Sequence, residues 1–478
     1  MKALKTLRQL DLMAFFRFKI ALYLGCLAGL VCRLLGREGT SLPGWIALRL
    51  YPNLLRDLAR SIDKVIIITG TNGKTTTANL LARILKERAG FEVVHNKEGA
   101  NMPAGVAAAL MASVFRACGA SKRVAVLEVD EGSLGYILKQ IPANLIVVTN
   151  ILRDQLDRYH ELEQTLNYIR QSLAFAPQAE LLLNADDPLV ASLGGSLSER
   201  FVYYFGLERT PYIRLDGGDV QEGHICPGCR GLLVFAYYHY SHLGHYTCPR
   251  CGWGRPFPHF RVKDLQKRER GYNFTFVYPG GEEEIFTSLP GLYNCYNILA
   301  ALAAGWVSGV NPKEAAELVA AFKPGRGRAE TFRLKGKRFT LLLVKNPTGL
   351  SEALRAVIET RPGVYLLAIN DLAADGRDVS WLWDVDWEPL VGYPGKRIIC
   401  SGLRAWDMAV CLRYQGIDLS LVKIVPQQAK SLKEALKEEA DEILILCTYT
   451  NLSLYRRLLI RMGGQSEVKD LSPLPRTA

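Results

Sequence analysis

The amino-acid sequence predicts an α/β protein with parallel sheets, a glycine-bearing turn and an inserted cysteine-rich β segment. Four short apolar runs alternate with four helical patterns in the first half of the chain. The runs lie at 65–69, 123–129, 144–149 and 180–183, and the helical patterns lie at 76–88, 103–116, 133–140 and 161–173. Buried strands that alternate with helices form a parallel sheet, with the helices covering its faces.

The chain has 478 residues, which is enough for two or three domains. A second series of predicted strands lies near 338–344, 364–369, 396–400 and 442–447. Because the glycine-rich joint at 323–328 separates the two series, we expect three parts. They are an N-terminal helical segment at 1–44, a first α/β domain at 45–325 with an insertion at about 212–288, and a second α/β domain at 326–478.

The N-terminal segment is strongly apolar between residues 14 and 35. Its uninterrupted apolar part, Ile20–Cys32, is too short to span a bilayer as a helix. One interpretation is a helix that packs within the protein. The other is a helix that lies on the inner face of a membrane, with nearby basic side chains at the headgroups. Those side chains are Lys5, Arg8, Arg17, Lys19 and Arg33.

A glycine-bearing turn joins the first predicted strand to the helix that follows it. The turn reads Gly70-Thr71-Asn72-Gly73-Lys74-Thr75-Thr76. Backbone N–H groups at such a helix start point at an anion, and the helix dipole favours its charge. Lys74 would then reach the outer phosphates and the Thr75 hydroxyl would hold Mg²⁺. The motif therefore predicts that the chain uses ATP and Mg²⁺.

Polar residues follow three more of the predicted strands, at the edge where ligands bind in open α/β sheets. Glu128 or Glu131 could bind Mg²⁺ directly or through water, although either could be a solvated loop charge. Thr149 and Asn150 end the next strand. The last group, 184–187, precedes Pro188, so a helix cap could explain it.

Two Cys-x-x-Cys pairs, separated by 18 residues, form the insertion's most specific motif. This spacing suits a zinc ribbon in which four thiolates surround Zn²⁺ and leave no site for water, so we expect a structural metal. The ligands are Cys226, Cys229, Cys248 and Cys251. A reduced or redox-active pair is the alternative. Nearby histidines are expected on the ribbon surface and not among the ligands: His224, His239, His242 and His245.

An acidic stretch in the second α/β domain follows the predicted strand at 364–369. It holds five aspartates within 16 residues, together with Trp381 and Trp383. Tryptophan in a loop indicates an interface or a pocket wall, and one aspartate could orient a histidine. A capped turn is the alternative.

Charge and cysteine use narrow the class of protein. The net charge of +12 favours an anionic partner. Nucleic acid is not expected, because the ribbon interval 226–251 carries only Arg230 and Arg250 as fixed positive charges. The eleven cysteines do not form a secreted disulfide framework, so we expect a reduced, cytoplasmic protein.

At this point the motifs resemble a known family, the Mur ligases and folylpolyglutamate synthases. The loop 70–76 is similar to the family's ATP loop. By this resemblance Glu128 is a magnesium ligand, Asn294 and Asn297 start a helix near the adenine, and Arg328 contacts the nucleotide. Such enzymes use ATP to convert a carboxylate into an acyl phosphate, which an amine then attacks.

Several positions depart from the usual family pattern. Gln155 replaces a histidine that binds a second metal, Tyr293 stands where histidine is common, and 344–348 replaces an Asp-Tyr-x-His-x-Pro stretch. No candidate for a carbamylated lysine is evident. With the Cys₄ insertion and 370–386, these departures resemble an amidating member of the family.

That resemblance implies amidation of the D-glutamate α-carboxyl in the lipid II stem peptide to D-isoglutamine. Ammonia would come from a partner, a GatD-like glutaminase subunit in a heterodimer. Asp378 would complete the partner's Cys–His pair as a catalytic residue, in preference to Asp371 and Asp375. The chain itself has no Gly-x-Cys-x-Gly nucleophile motif. The alternative is a ligase of the same fold that adds an amino acid.

Overall fold

The computed structural model forms two compact units, described over residues 12–35, 39–96, 100–114, 122–154, 162–195, 201–216, 223–269, 271–323, 328–358, 363–391 and 397–466. Unit 1 holds the described residues of Met1–Leu152, Glu161–Ser288 and Tyr293–Phe322. Unit 2 holds those of Arg153–His160, Leu289–Leu292 and Lys323–Ala478.

Unit 1 is an α/β unit with one large sheet. Its helices are α1 (Leu12–Leu34), α2 (Leu42–Leu50), α3 (Leu54–Ala59), α4 (Lys74–Arg88), α5 (Pro103–Val114), α6 (Leu134–Leu138), α7 (Leu162–Leu173), α8 (Pro188–Gly195), α9 (Leu292–Val307) and α10 (Pro312–Ala320), with a 3₁₀ turn at Glu131–Ser133. Its strands are β1 (Lys64–Thr69), β2 (Glu92–His95), β3 (Arg123–Glu128), β4 (Leu145–Val148), β5 (Glu180–Asn184), β6 (Val202–Leu207), β7 (Val234–Tyr240), β8 (Leu243–Thr247), β9 (Phe260–Lys267), β10 (Tyr272–Tyr278) and β11 (Gly281–Thr287).

The large sheet has nine strands in the order β11-β10-β9-β6-β5-β4-β1-β3-β2. Strands β1 to β6 pair in parallel, and β1 lies between β3 and β4. The chain moves from β1 to one side of the sheet and then crosses to the other side at β4. This is the topological switch point, where the carboxyl ends of the strands open a crevice for ligands.

The sequence of β1 suits its central position. Val65 to Ile68 are all buried, as expected for a parallel strand that is covered on both faces. Fully burying each of these side chains contributes roughly 1.5–3 kcal/mol. This buried strand fixes the position of the loop that follows it.

The insertion at about 212–288 contributes strands to two different sheets. The hairpin β7–β8 forms a separate two-stranded sheet beside the cysteine pairs. In contrast, β9 pairs with β6, and β10 and β11 continue from it as antiparallel strands of the main sheet. The ribbon is therefore shorter than the 212–288 segment expected from the sequence, because alternating strands at its C-terminal end extend an existing sheet edge.

The N-terminal helix α1 packs on one side and is open on the other. Phe18, Ala21 and Leu22 are buried in the core of unit 1. The opposite face exposes large apolar side chains, which are Met13, Phe16, Ile20, Tyr23, Leu24, Leu27, Leu30, Val31 and Leu34. By length and composition the span Met13–Leu34 could cross a membrane, although 28% of its apolar window is buried in the protein. Arg17 and Lys19 lie within this same helix, so the apolar run Ile20–Cys32 of the sequence is only one part of it.

Unit 2 contains a seven-stranded sheet in the order β16-β15-β14-β17-β13-β12-β18, parallel from β16 to β13. Its strands are β12 (Arg328–Leu334), β13 (Lys337–Leu343), β14 (Val364–Ala368), β15 (Arg397–Ser401), β16 (Val422–Ile424), β17 (Glu442–Cys447) and β18 (Gln465–Ser466). Its helices are α11 (Pro347–Ile358), α12 (Glu388–Val391), α13 (Ala405–Tyr414), α14 (Gln428–Lys437) and α15 (Tyr449–Arg461), with 3₁₀ turns at Ser380–Asp384 and Leu419–Leu421.

Candidate nucleotide site and cysteine cluster

Two glycines shape the turn between β1 and α4. Gly70 and Gly73 adopt φ angles of 119° and 88°, which favour glycine. A Cβ on Gly70 would lie 2.4 Å from Thr149 Oγ1, and one on Gly73 would lie 2.0 Å from Asn297 Oδ1. The turn therefore needs glycine for both its backbone conformation and its close contacts.

The loop is held in place by the residues that follow β4. The Asn72 N–H donates to Asn150 Oδ1 (2.8 Å), and Thr149 Oγ1 donates to the Asn72 carbonyl (2.7 Å). Thr71 donates its N–H to the Asn150 carbonyl (2.8 Å) and its hydroxyl to the Leu152 carbonyl (3.1 Å). The predicted polar edge after β4 thus serves as a brace for the phosphate loop.

Lys74 is buried and folded back onto its own loop. Its ammonium donates to the carbonyls of Gly70 and Thr71 and forms an ion pair with Glu131 at 2.9 Å. Burial by itself lowers the pKa of Lys74, but the charges of Glu131, Asp130 and Glu128 outweigh it and raise the pKa. Lys74 is therefore a cation at neutral pH, as binding of a phosphate requires.

Glu128 ends β3 beside Ile68, with only 2% of its surface exposed. Asn101 Nδ2 approaches its Oε1 at 3.5 Å, whereas Oε2 is buried without a hydrogen-bond partner among the described residues. Burying a carboxylate oxygen unpaired is costly, so a cation at this point would relieve the cost. Glu128 therefore fits the role of a Mg²⁺ ligand better than Glu131, which pairs with Lys74.

The start of α9 lies against the same loop. Asn297 Nδ2 donates to Asn294 Oδ1 (3.1 Å), and the Asn297 carbonyl accepts the hydroxyl of Thr77 (3.2 Å). Both asparagines are almost fully buried. The structure thus brings Asn294 and Asn297 to the phosphate loop, over 200 residues away in sequence. The side chain of Arg328 and residues 155–158 lie outside the described part of the chain.

The four predicted cysteine ligands come together. All four sulfurs lie within 4.8 Å of one another, with Cys226–Cys251 at 3.7 Å and Cys229–Cys248 at 3.5 Å. Sulfurs at tetrahedral corners about 2.3 Å from one Zn²⁺ would lie about 3.8 Å apart. The cluster therefore fits a Cys₄ metal site.

The expectation that the ribbon histidines lie on its surface is wrong for two of them. His239 and His242 are 3% and 0% exposed, respectively. His239 Nε2 lies 4.0 Å from Asp186 Oδ2, and His242 Nε2 lies 3.4 Å from Asp187 Oδ1. The hairpin packs this face against Asp186 and Asp187 of the same unit, and no periodic signal in the sequence indicated it.

In the acidic stretch of unit 2, four aspartates have side-chain partners. Asp375 accepts the Thr450 hydroxyl, and the other three pair with arginines: Asp371 with Arg404, Asp384 with Arg153, and Asp386 with Arg355. Asp378 differs. Its Oδ1 accepts the Ser380 N–H at 2.8 Å, two residues ahead, where a 3₁₀ turn begins. The other four carboxylates are thus held by side chains, whereas Asp378 is held by a backbone N–H.

Comparison with known proteins first defines the class. Residues 68–223 match the family described as "Mur ligase middle domain". Two solved structures have a similar fold. A pseudomurein peptide ligase type C from Methanothermus fervidus has a TM-score of 0.64 and 23% identity, over 87% of this chain and 84% of the other. MurF from Acinetobacter baumannii has a TM-score of 0.63 and 16% identity, over 87% and 80%. The fold is that of the Mur ligases.

Closer relatives then define the family. Residues 343–452 match "MurT ligase C-terminal". The chain is 34% identical over 452 residues to the lipid II isoglutaminyl synthase (glutamine-hydrolyzing) subunit MurT of Staphylococcus aureus, covering 93% of this chain and 99% of the relative. It is 36% identical to the same subunit of Streptococcus pneumoniae, covering 91% and 96%. The chain belongs to the MurT family.

Proposed function

We propose that this chain is the synthetase subunit of a glutamine-dependent ligase that amidates the D-glutamate α-carboxyl of the lipid II stem peptide. The observation that carries the proposal is the phosphate loop, with charged Lys74 and the unpaired Glu128 oxygen beside it. The relatives that span almost the whole chain bear the name of this enzyme. The activity belongs to peptidoglycan synthesis in the cytoplasm.

The reaction has two steps. A carboxylate oxygen of the substrate attacks the γ-phosphorus of ATP, and the bond to the bridging oxygen breaks to release ADP. Ammonia then attacks the carbonyl carbon of the acyl phosphate, phosphate leaves, and the nitrogen loses a proton to give the amide. Lys74 and the loop N–H groups would stabilise the charge on the transferred phosphoryl group. Thr75 and Glu128 would hold Mg²⁺, which neutralises phosphate charge when bound.

Asn294 and Asn297 complete the proposed nucleotide site in unit 1, because α9 starts against the loop. The proposed contact of Arg328 with the nucleotide rests on the family resemblance alone. The four cysteines would hold Zn²⁺ in a structural role, since four thiolates leave the metal no open position. The fit of the sulfur spacing to a tetrahedron supports this assignment.

The proposed partner is a GatD-like glutaminase that binds unit 2. Supporting this, α13 exposes an apolar stripe of Trp406, Val410 and Tyr414, which are 65%, 47% and 77% exposed. The helix is packed on the 3₁₀ turn Ser380–Asp384 that follows Asp378, with Cys411 Sγ donating to the Leu382 carbonyl at 3.4 Å. Trp383 of that turn contacts Tyr414 of the stripe, with ring centroids 5.8 Å apart. A glutaminase docked on this stripe would therefore lie near the turn, and Asp378 could orient its histidine.

The test combines the purified chain with the glutaminase, glutamine, ATP, Mg²⁺ and lipid II. We expect ADP release and a muropeptide whose mass shows one carboxyl converted to a carboxamide. Amino acids supplied without the partner provide the matched comparison. Formation of a peptide bond to an added amino acid, at a rate matching the ammonia reaction, would contradict the amidating-ligase assignment and favour the amino-acid-adding ligase.

We also propose that the exposed face of α1 lies on the inner surface of a membrane, where a lipid-linked substrate resides. The face is continuous and apolar, and Arg17 and Arg33 of the same helix are exposed. No acidic residue lies among the described residues of 12–56. An apolar face with basic neighbours suits an anionic bilayer surface.

Replacing both Ile20 and Leu27 with glutamate is expected to weaken binding to phosphatidylglycerol vesicles by roughly tenfold or more, because two exposed apolar side chains no longer enter the lipid. Vesicle co-sedimentation measures this. Phe201→Glu is the control, since Phe201 is 74% exposed on the same unit but far from α1 in sequence. The proposal would be overturned if the wild-type chain did not co-sediment with vesicles and light scattering showed that it dimerises through this face instead.

A further inference from the structure

The four residues Asn184–Asp187 connect the cysteine ribbon with both sides of the candidate nucleotide site. On one side they bond to the segment after β4 that holds the phosphate loop in place. Asn184 Nδ2 donates to the Thr149 carbonyl (2.9 Å), and Asp187 Oδ2 accepts the Ile151 N–H (2.7 Å). Asp187 also caps α8 through the N–H groups of Leu189 and Val190, but this cap does not account for Asp186.

Asp186 connects to α9, the helix of Asn294 and Asn297. Its Oδ2 accepts the hydroxyl of Tyr296 at 2.6 Å. Tyr296 is 3% exposed and lies next to Asn297 in the sequence, so its position sets the position of the helix start. Asp186 thus fixes the start of α9, while Thr149 and Asn150 fix the phosphate loop.

The ribbon supplies further partners of these residues. Arg255, four residues after Cys251, donates from Nε to Asp186 Oδ1 at 2.5 Å. The Gly244 N–H donates to the Asp186 carbonyl (2.9 Å), and the Tyr246 hydroxyl donates to the Ala185 carbonyl (2.9 Å). Tyr246 is itself fixed by stacking on Trp253, two residues after Cys251, with ring centroids 5.3 Å apart.

The chemistry of Asp186 makes these contacts interdependent. The carboxylate is 0% exposed, and burial by itself raises its pKa. The charge of Arg255, with His239 and the bonds from Tyr296 and Leu207, outweighs burial and lowers the pKa. An ionised carboxylate this deep is stable only while its partners stay in place, so displacement of Arg255 would disturb Tyr296 as well.

We infer that Asp186 is a positioning residue through which the metal-bound ribbon holds the start of α9 in its nucleotide-binding geometry. The inference rests on the proposed function, because it takes ATP at the phosphate loop and a metal on the four cysteines. It assigns the ribbon a role beyond its own folding. Metal at the cysteines and nucleotide at the loop are then energetically coupled, although neither ligand touches the other's residues.

The experiment measures ADP affinity by calorimetry at constant millimolar Mg²⁺, with the full chain carrying zinc and after zinc is removed by a zinc-selective chelator. Metal analysis confirms the zinc content of each sample. We expect affinity about tenfold weaker without zinc, within the usual range of coupling between sites. Re-addition of Zn²⁺ should restore it.

The variant Tyr296→Phe separates coupling from stability, because it removes one hydroxyl and keeps the ring. We expect it to retain zinc, to bind ADP several-fold more weakly than wild type, and to lose at least half of the zinc effect. Tyr455→Phe is the matched control. Its buried hydroxyl bonds Ser401 and Ser431 in unit 2, so its loss should lower thermal stability and leave the zinc effect intact.

Equal ADP affinity with and without zinc in the wild type would overturn the inference while leaving the proposed function standing. A zinc effect of the same size in Tyr296→Phe as in wild type would also overturn it, since the coupling would then bypass Asp186. Failure of the zinc-loaded wild type to bind any adenine nucleotide would instead overturn the proposed function.

Discussion

Replacing Lys74 with alanine is expected to reduce amidation on the order of 10²- to 10³-fold. The ammonium is the only side-chain cation in the phosphate loop 70–76, and removal of one charge-stabilising donor from a desolvated site has an effect of this size. ADP release in the presence of glutaminase, glutamine and lipid II measures the loss. The effect should fall on turnover, because the charge of the phosphoryl group is redistributed as it transfers.

Stability must be separated from chemistry in this variant, since Glu131 would lose its buried partner. Breaking a buried ion pair can cost about 3–5 kcal/mol. The thermal unfolding temperature of the variant is therefore measured beside its activity. The double variant Lys74→Ala/Glu131→Gln removes the unpaired buried charge of Glu131. Lys86→Ala on the exposed last turn of α4 is the control. A folded Lys74→Ala protein that amidates at the wild-type rate would remove the basis of the proposed function.

Replacing Asp378 with asparagine is expected to reduce glutamine-driven amidation on the order of 10²-fold or more, the usual contribution of acid–base groups. The reason is that the proposed role of Asp378 lies in activating the partner's histidine. Free ammonia should bypass this step, so ammonium chloride at mildly alkaline pH should recover much of the rate. The ratio of the two rates, with each nitrogen source, is the measurement.

Asp418→Asn gives a closely matched control for this experiment. Asp418 also accepts the N–H two residues ahead, from Ser420 at 2.9 Å, and also lies beside the first residue of a 3₁₀ turn in unit 2, where it is the N-cap. Its replacement should leave both rates near wild type. If Asp378→Asn depresses the glutamine-driven and ammonia-driven reactions equally, Asp378 belongs to the synthetase step and not to the partner's.

The sequence was most informative where chemistry is local. The strand, turn and helix around Gly70–Thr76 and the paired cysteines each occupy a short stretch, so the local sequence predicted the strand–turn–helix unit and the clustering of the four cysteines. Parallel strands such as β1 were evident because burial on both faces requires a continuous apolar run. Each of these signals is complete within about 30 residues or fewer.

Contacts between distant segments could not be predicted in the same way. The bonds of Asp186 to Arg255 and Tyr296 join residues 69 and 110 positions apart, and no periodicity marks any of them. Asn184–Asp187 could be explained from the sequence as a helix cap, and only Asp187 has that role. The prediction that the hairpin histidines are exposed was wrong for His239 and His242 for the same reason, because their burial depends on a surface formed by other parts of the chain.

The pairing of Lys74 with Glu131 has a consequence for selectivity. Because the lysine charge is already compensated inside the protein, an empty loop exerts little net attraction on small anions. Inorganic phosphate would have to separate that pair with only one cluster of oxygens, and it lacks the base that the proposed nucleotide site would place at α9. A complete nucleotide with its own counter-cation can offset the same cost. The enzyme without substrate should therefore bind orthophosphate only weakly at cellular concentrations, and it should bind ATP in preference.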